Sequence, residues 1–261
     1  MAYKISAIVP MRANSERVND KNVRLFNGAP LYYYIMNTLI DCKIFENVII
    51  DTNVEEIKVE APQEFPVVKI IDRPEKLTAG EESMNNVLHN SLQQIDSEFV
   101  LQTHSTNPLL EKNTILEAIK VFYAYYPDYD SLFSVTITQG RFWDHESKPI
   151  NHNLCELIRT QDLEPMYFEN SSIYIFNRIK FLKIKNRIGS NPKMFEINKV
   201  ESFDIDDIDD LSDLDVQGIM TINDAATYPP YATAFNGIDD DGDWADWAED
   251  FGWDQDDKDG D

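Results

Sequence analysis

Two groups of charged side chains, near opposite ends of the chain, are of the types that handle phosphate and metal. The first follows the apolar run Ile5–Pro10: Met11-Arg12-Ala13-Asn14-Ser15-Glu16-Arg17-Val18-Asn19-Asp20-Lys21-Asn22. Arg12, Arg17, Lys21 and Arg24 put four cations into 13 residues, opposed only by Glu16 and Asp20. Backbone amides and the Ser15 hydroxyl can donate to phosphate oxygens, and Lys21 adds a point charge, so this loop suits a triphosphate. The local pattern serves equally well as an ordinary solvated loop. Walker A spacing is absent, which argues against a P-loop NTPase.

The second group is Phe203-Asp204-Ile205-Asp206. In an extended segment residues i and i+2 point the same way, so Asp204 and Asp206 present two carboxylates to one point. Two carboxylates plus phosphate oxygens are a usual way to hold Mg²⁺, or Mn²⁺ in its place. Asp207, Asp209, Asp210, Asp213 and Asp215 crowd the same stretch. A solvated acidic turn leading into a helix start, where aspartates suit the dipole, is therefore the competing reading.

Between these groups lie single candidates. Arg73 stands before Pro74 at a strand end, Ser83 heads a helix that it would also serve as N-cap, and Gln102 closes a strand. His89, His104, His145 and His152 lack metal spacing and read as structural or exposed.

The elements that must position these residues alternate in type. Ile5–Pro10, Val48–Asp51, Val67–Ile71 and Phe99–Gln102 read as strands. Pro30 opens a helix with Leu31, Tyr34, Ile35, Thr38 and Leu39 on one face. Ser83 opens another with Met84, Val87, Leu88, Ser91, Leu92 and Ile95, and Ile115, Ala118, Ile119 and Phe122 mark a third. This rhythm predicts βαβ units: a three-layer α/β fold around a mostly parallel sheet, with ligands beyond the carboxyl ends of the strands. From 139 to 199 the pattern loosens around Pro149, Pro165 and Pro192, apart from a strand-like Ile173–Phe176, and an inserted excursion is expected there. Ser202–Ile205 then reads as a strand end and Leu211, Leu214 and Ile219 as a closing helix. Residues 1–234 form the expected domain.

The chain has 261 residues and a formal net charge of −24, which argues against nucleic acid and anionic membranes as partners. Residues 235–261 hold 12 of the 47 acidic residues and one basic residue, Lys258, and so carry −11 of that charge. This acidic tail, with Trp244, Trp247 and Trp253, is expected to be disordered. Its Asn236–Asp243 stretch resembles a calcium loop, but aligning Gly242 with the fixed glycine puts Gly237 and Ala248 at ligand positions. Cys42 and Cys155 read as reduced thiols. The N-terminal apolar run is too short for a signal peptide, and no stretch approaches a bilayer span, so a cytoplasmic protein is expected.

The string Ala7-Ile8-Val9-Pro10-Met11-Arg12-Ala13-Asn14-Ser15 followed by Lys21-Asn22 resembles the N-terminal signature of the acylneuraminate cytidylyltransferases. Asp72-Arg73-Pro74, Ser83, Leu101 to Leu109, Arg159 to Pro165, Asn170 to Phe176 and Asp204-Ile205-Asp206 resemble later family elements in order. The resemblance implies a fold of the nucleotide-diphospho-sugar transferase type and a homodimer to which the 139–199 excursion contributes. It also implies transfer of CMP from CTP to the anomeric hydroxyl of a sialic-acid-like nonulosonic acid. Arg12, Ser15 and Lys21 would then hold phosphate, and Asn22, Arg73 and Ser83 would meet the nucleoside end. Gln102, Arg159 and Gln161 would face the sugar, and Asp204 and Asp206 would hold the metal. Two alternatives stay open: a sister transferase for Kdo or another ulosonic acid, and a non-catalytic scaffold that docks through its tail.

Overall fold

The computed structural model describes residues 4–13, 18 and 20–206. Ser15, the expected closing helix and the 235–261 tail lie outside them. Strand β1 (Ile5–Met11) is buried along its whole length, as a central strand covered on both faces must be. The chain then forms a small hairpin, β2 (Leu25–Phe26) and β3 (Ala29–Pro30). Its two-residue turn is Asn27-Gly28, both with positive φ, the backbone a type I′ turn requires. Helix α1 (Leu31–Asp41) follows, then β4 (Asn47–Thr52), α2 (Glu55–Glu64), β5 (Val68–Asp72), α3 (Met84–Leu92), β6 (Phe99–Gln102) and α4 (Lys112–Tyr125). The remaining elements are β7 (Ser131–Thr138), β8 (Met166–Asn177), α5 (Arg178–Ile184) and β9 (Pro192–Glu196).

Seven strands form one sheet in the order β5-β4-β1-β6-β8-β7-β9. The β1–β4, β1–β6, β4–β5 and β7–β9 pairs are parallel, whereas β8 is antiparallel to both its neighbours. The sheet is therefore mostly parallel with one reversed strand. Alternate residues face two cores. Ala7, Val9, Ile50, Leu101 and Ile175 pack with α1, α2 and α4 on one side. Ile8, Ile49, Val100 and Tyr174 pack with Leu88 and Leu92 of α3 and Phe181 of α5 on the other. These are the three layers that the alternation of elements predicts.

Three differences from the sequence reading have local causes. Helix α2 escapes a periodicity search because only Ile57 and Ala61 are buried and Pro62 sits in its last turn. Helix α3 ends at Leu92, so Ile95 packs from the loop beyond it. The 139–199 segment is an excursion only in its first half, because β8, α5 and β9 return to the main sheet and β8 lies inside it. Residues 139–165 are tied to themselves. Gln139 Nε2 donates to the carbonyls of Thr160 and Leu163 at 2.7 and 2.8 Å. Asn151 Nδ2 donates to those of Gly140 and Glu164 at 2.8 and 3.1 Å.

Candidate active site

The carboxyl ends of β1, β4, β5 and β6 meet at one edge of the sheet, where polar groups replace the apolar core. The loop after β1 is anchored at its start, since the Ala13 N–H donates to Asn53 Oδ1, just past β4, at 2.9 Å. Asn22 ties its end. The Asn22 amide donates to the Arg12 carbonyl at 3.0 Å, and its oxygen accepts from the Ser105 hydroxyl at 2.6 Å. Asn22 is buried and engaged at both ends of its amide, so it braces the loop.

Lys21 joins this loop to the late acidic segment. Its Nζ donates to the Ile205 carbonyl at 2.7 Å and stands 3.6 Å from Asp206 Oδ1. The segment is itself fixed to the turn after β6: the Ile205 N–H donates to the Thr106 carbonyl at 2.9 Å, and Asn107 Nδ2 to that of Phe203 at 3.1 Å. Residues 203–206 lie outside the sheet, which makes the expected strand end a tethered strap. Phe203 and Ile205 pack on the core. Asp204 and Asp206 alternate with them along the chain. The structure thus gathers Arg12, Lys21, Asn22 and the Asp204–Asp206 pair, while Ser15 lies outside the described residues.

The other candidates are held differently. Arg73 is buried; its Nε donates to Asp51 Oδ1 and its Nη2 to the Asp51 carbonyl at 3.2 Å. The second Asp51 oxygen accepts from the buried hydroxyl of Ser91 in α3. This buried charge pair, closed by a third group, locks the ends of β4 and β5 to α3. Ser83 caps α3, its oxygen accepting from the Asn85 N–H at 3.2 Å, and it is exposed. Arg159 pairs with Asp162 across one turn at 2.7 Å, and it and Gln161 are exposed in the 139–165 excursion.

Gln102 is fully buried and sits at the centre of a second cluster. Its Oε1 accepts from Arg187 Nη1 at 2.5 Å, and its Nε2 meets His104 Nε2 at 3.0 Å. Arg187 lies flat over the Tyr174 ring, 3.6 Å from its centroid. The Tyr174 hydroxyl donates to Glu169 and contacts Ser171 Oγ at 3.1 Å. Burial, with the nearby cations Arg187 and Lys21, pushes His104 down to about 3, so the imidazole is neutral. Burial also raises the Tyr174 hydroxyl to about 12. Sequence reasoning passed over Asp51, Ser91, Ser105, Tyr174 and Arg187. An aspartate at a strand end beside Arg73 of the next parallel strand was a usable signal for Asp51. Arg187 lies in a stretch without periodicity and offered none.

A sheet of this order, with cations at the carboxyl ends of its parallel strands, defines an α/β nucleotidyltransferase fold. The CMP:2-keto-3-deoxy-manno-octonic acid synthetase complexed with CTP superposes with a TM-score of 0.61 over 83% of this chain and 98% of that chain, at 12% identity. The 4-diphosphocytidyl-2C-methyl-D-erythritol synthase of Anaerococcus prevotii gives 0.61 over 84% and 99%, at 11% identity. The chain belongs to the cytidylyltransferase family, whose model, described as Cytidylyltransferase, matches residues 6–215. It is 28% identical over 210 residues to N-acylneuraminate cytidylyltransferase A of Danio rerio, covering 77% of this chain and 48% of that protein. It is 26% identical over 214 residues to the CMP-N,N'-diacetyllegionaminic acid synthase of Legionella pneumophila, covering 78% and 91%. The chain spans about half the length of the N-acylneuraminate cytidylyltransferases it matches.

Proposed function

We propose that this protein transfers CMP from CTP to the anomeric hydroxyl of a sialic-acid-like nonulosonic acid. The observation that carries the reading, within the family assignment, is the Lys21 bridge. It sets a cationic loop suited to phosphate against a pair of carboxylates suited to a metal. In the proposed step the hydroxyl oxygen attacks the α-phosphorus, a new P–O bond forms, and the bond to pyrophosphate breaks. Arg12, Ser15 and Lys21 hold the phosphates, whose charge Arg12 and Lys21 offset; Asn22 and Arg73 keep the strand ends that receive the nucleoside in place, and Ser83 meets the nucleoside end. The hydroxyl proton passes to Asp204 or Asp206. Such transfers ask the protein mainly for positioning and charge neutralisation.

The donor set suits Mg²⁺: two hard carboxylate ligands two residues apart on a strap, with substrate phosphate to complete the shell. Among the described residues no group of three or more His, Cys, Asp or Glu that could hold a metal ion occurs. Bound there, Mg²⁺ would supply Lewis-acid stabilisation of the phosphate charge. Gln102, and across the site Arg159 and Gln161, would face the sugar.

Leu154, Leu157 and Phe168 in and beside the excursion are 66%, 91% and 66% exposed, an apolar surface suited to a homodimer. A cytoplasmic setting fits the free thiols Cys42 and Cys155. Among the described residues no helix is long and apolar enough to cross a membrane. Pyrophosphate release from CTP with a panel of ulosonic acids tests the reading. Turnover with sialic, legionaminic or pseudaminic acid supports it, turnover with Kdo alone moves the acceptor class, and no turnover with any sugar acid overturns it.

A further inference from the structure

Arg187 is a half-buried cation without an ion-pair partner among the described residues. Among the described residues no carboxylate lies within ion-pair distance of its guanidinium. Glu169, the acid whose charge reaches it, is engaged by the Tyr174 hydroxyl. Burial holds its affinity for a proton below the ordinary arginine value. An arginine left in this condition at a site edge is arranged for an anion from outside.

Its placement is rigid. The ring of Tyr174 supports one face, Gln102 fixes one nitrogen, and the Arg187 N–H reaches Asn85 Oδ1 at 3.4 Å. The following turn is pinned to the start of β7. The Gly189 N–H donates to Ser131 Oγ at 2.8 Å, and the Ser190 N–H to Asp130 Oδ2 at 3.0 Å. Burial alone would raise the Asp130 carboxyl, but the hydrogen bonds from Asn191 and Ser190 outweigh it and hold it below its usual range. A Cβ on Gly189 would fall 2.2 Å from an Asp130 oxygen, so only glycine lets the turn approach so closely. Through Gln102 and His104 the guanidinium is linked to the edge where Lys21 stands, and His104 feels both cations.

We infer that Arg187 is the receptor for the carboxylate of the acceptor sugar, held in place by Gln102 and Tyr174. This rests on the cytidylyltransferase reading above, in which the acceptor carries a carboxylate on the carbon that bears the reacting hydroxyl. A planar guanidinium with one nitrogen already fixed can offer its remaining donors to that carboxylate and so aim the hydroxyl.

The test is calorimetric binding of N-acetylneuraminate and its methyl ester to the full chain with CTP and Ca²⁺ in place of Mg²⁺, for wild type, Arg187→Gln and Arg187→Lys. Wild type is expected to prefer the acid, and Arg187→Gln to lose roughly 10- to 100-fold of that preference, the size expected for a charged hydrogen bond. Arg187→Lys should keep part of it. CTP binding and the thermal midpoint should stay near wild type. If Arg187→Gln discriminates acid from ester as wild type does, the inference is overturned. If wild type binds CTP but neither these sugars nor legionaminic or pseudaminic acid, the acceptor reading itself fails.

Discussion

Lys21 Nζ and the Ile205 carbonyl, 184 residues apart in sequence, form a 2.7 Å hydrogen bond that ties the first loop to the Asp204–Asp206 strap. One ammonium thus serves two parts of the site. Lys21→Ala should weaken CTP binding by about 10-fold or more, while cytidine binding changes by less than about 3-fold, since the nucleoside lacks the phosphates. Calorimetry with both ligands decides it. Equal losses would remove Lys21 from the phosphates.

Asp204→Asn and Asp206→Asn should each lower kcat by two orders of magnitude or more at saturating CTP, because an amide is a poor Mg²⁺ ligand. Both variants should melt within a few degrees of wild type without metal. Normal turnover in saturating Mg²⁺ would refute the assignment.

Arg73 and Asp51 form a buried pair, so removing one charge strands the other. Arg73→Met should cost about 3–5 kcal/mol of stability. The double variant Asp51→Asn, Arg73→Met should recover part of that loss. Urea unfolding of the three proteins measures the coupling. An Arg73→Met protein as stable as wild type, with weakened CTP binding, would make Arg73 a ligand contact.

His104 supplies a pH test. Its native-state value of about 3 lies below the ordinary 6.5, so between those limits the unfolded chain binds the extra proton. Stability from this residue is fully present above about pH 6.5 and is lost progressively as pH falls toward 3. The slope is at most about 1.4 kcal/mol per pH unit. His104→Gln should remove that component. Parallel melting curves for both proteins from pH 7 to 4.5 would show that His104 is protonated freely in the native state.

The parts legible in the sequence were those where one physical signal dominates. Ile5–Pro10, Val48–Asp51 and Phe99–Gln102 are short apolar runs because both their faces are covered, and Ser83 announces α3 by capping it. Strand β7 was not legible. Its buried positions include Ser131, Ser134 and Thr136, which satisfy the rule for buried polar groups through partners elsewhere. Ser134 Oγ meets Asn170 Oδ1 at 2.6 Å, and Asn170 Nδ2 meets Thr136 Oγ1 at 2.8 Å. Strand β9 opens on Pro192, a residue that reads as a break but is allowed at the start of an edge strand. Charge type and spacing singled out Lys21 and the Asp204–Asp206 pair as candidates, and the structure brings Lys21 Nζ to 3.6 Å from Asp206. The engagement of Arg73 with Asp51, and of Arg187 with Gln102, depends on which strands become neighbours.

Strand β8 enters the sheet between β6 and β7, two strands that precede it in the chain. A growing chain that has reached residue 138 therefore carries two unsatisfied strand edges facing a gap, and these stay open until residue 177 has been made. Such edges invite pairing with other chains, and closing them joins residues far apart in sequence, which slows folding. Arg187 arrives ten residues after the gap closes, and the carboxylate strap after that. A protein cut before residue 166 would hold the loop after β1 beside an open sheet, with neither the strap nor Arg187 to complete it.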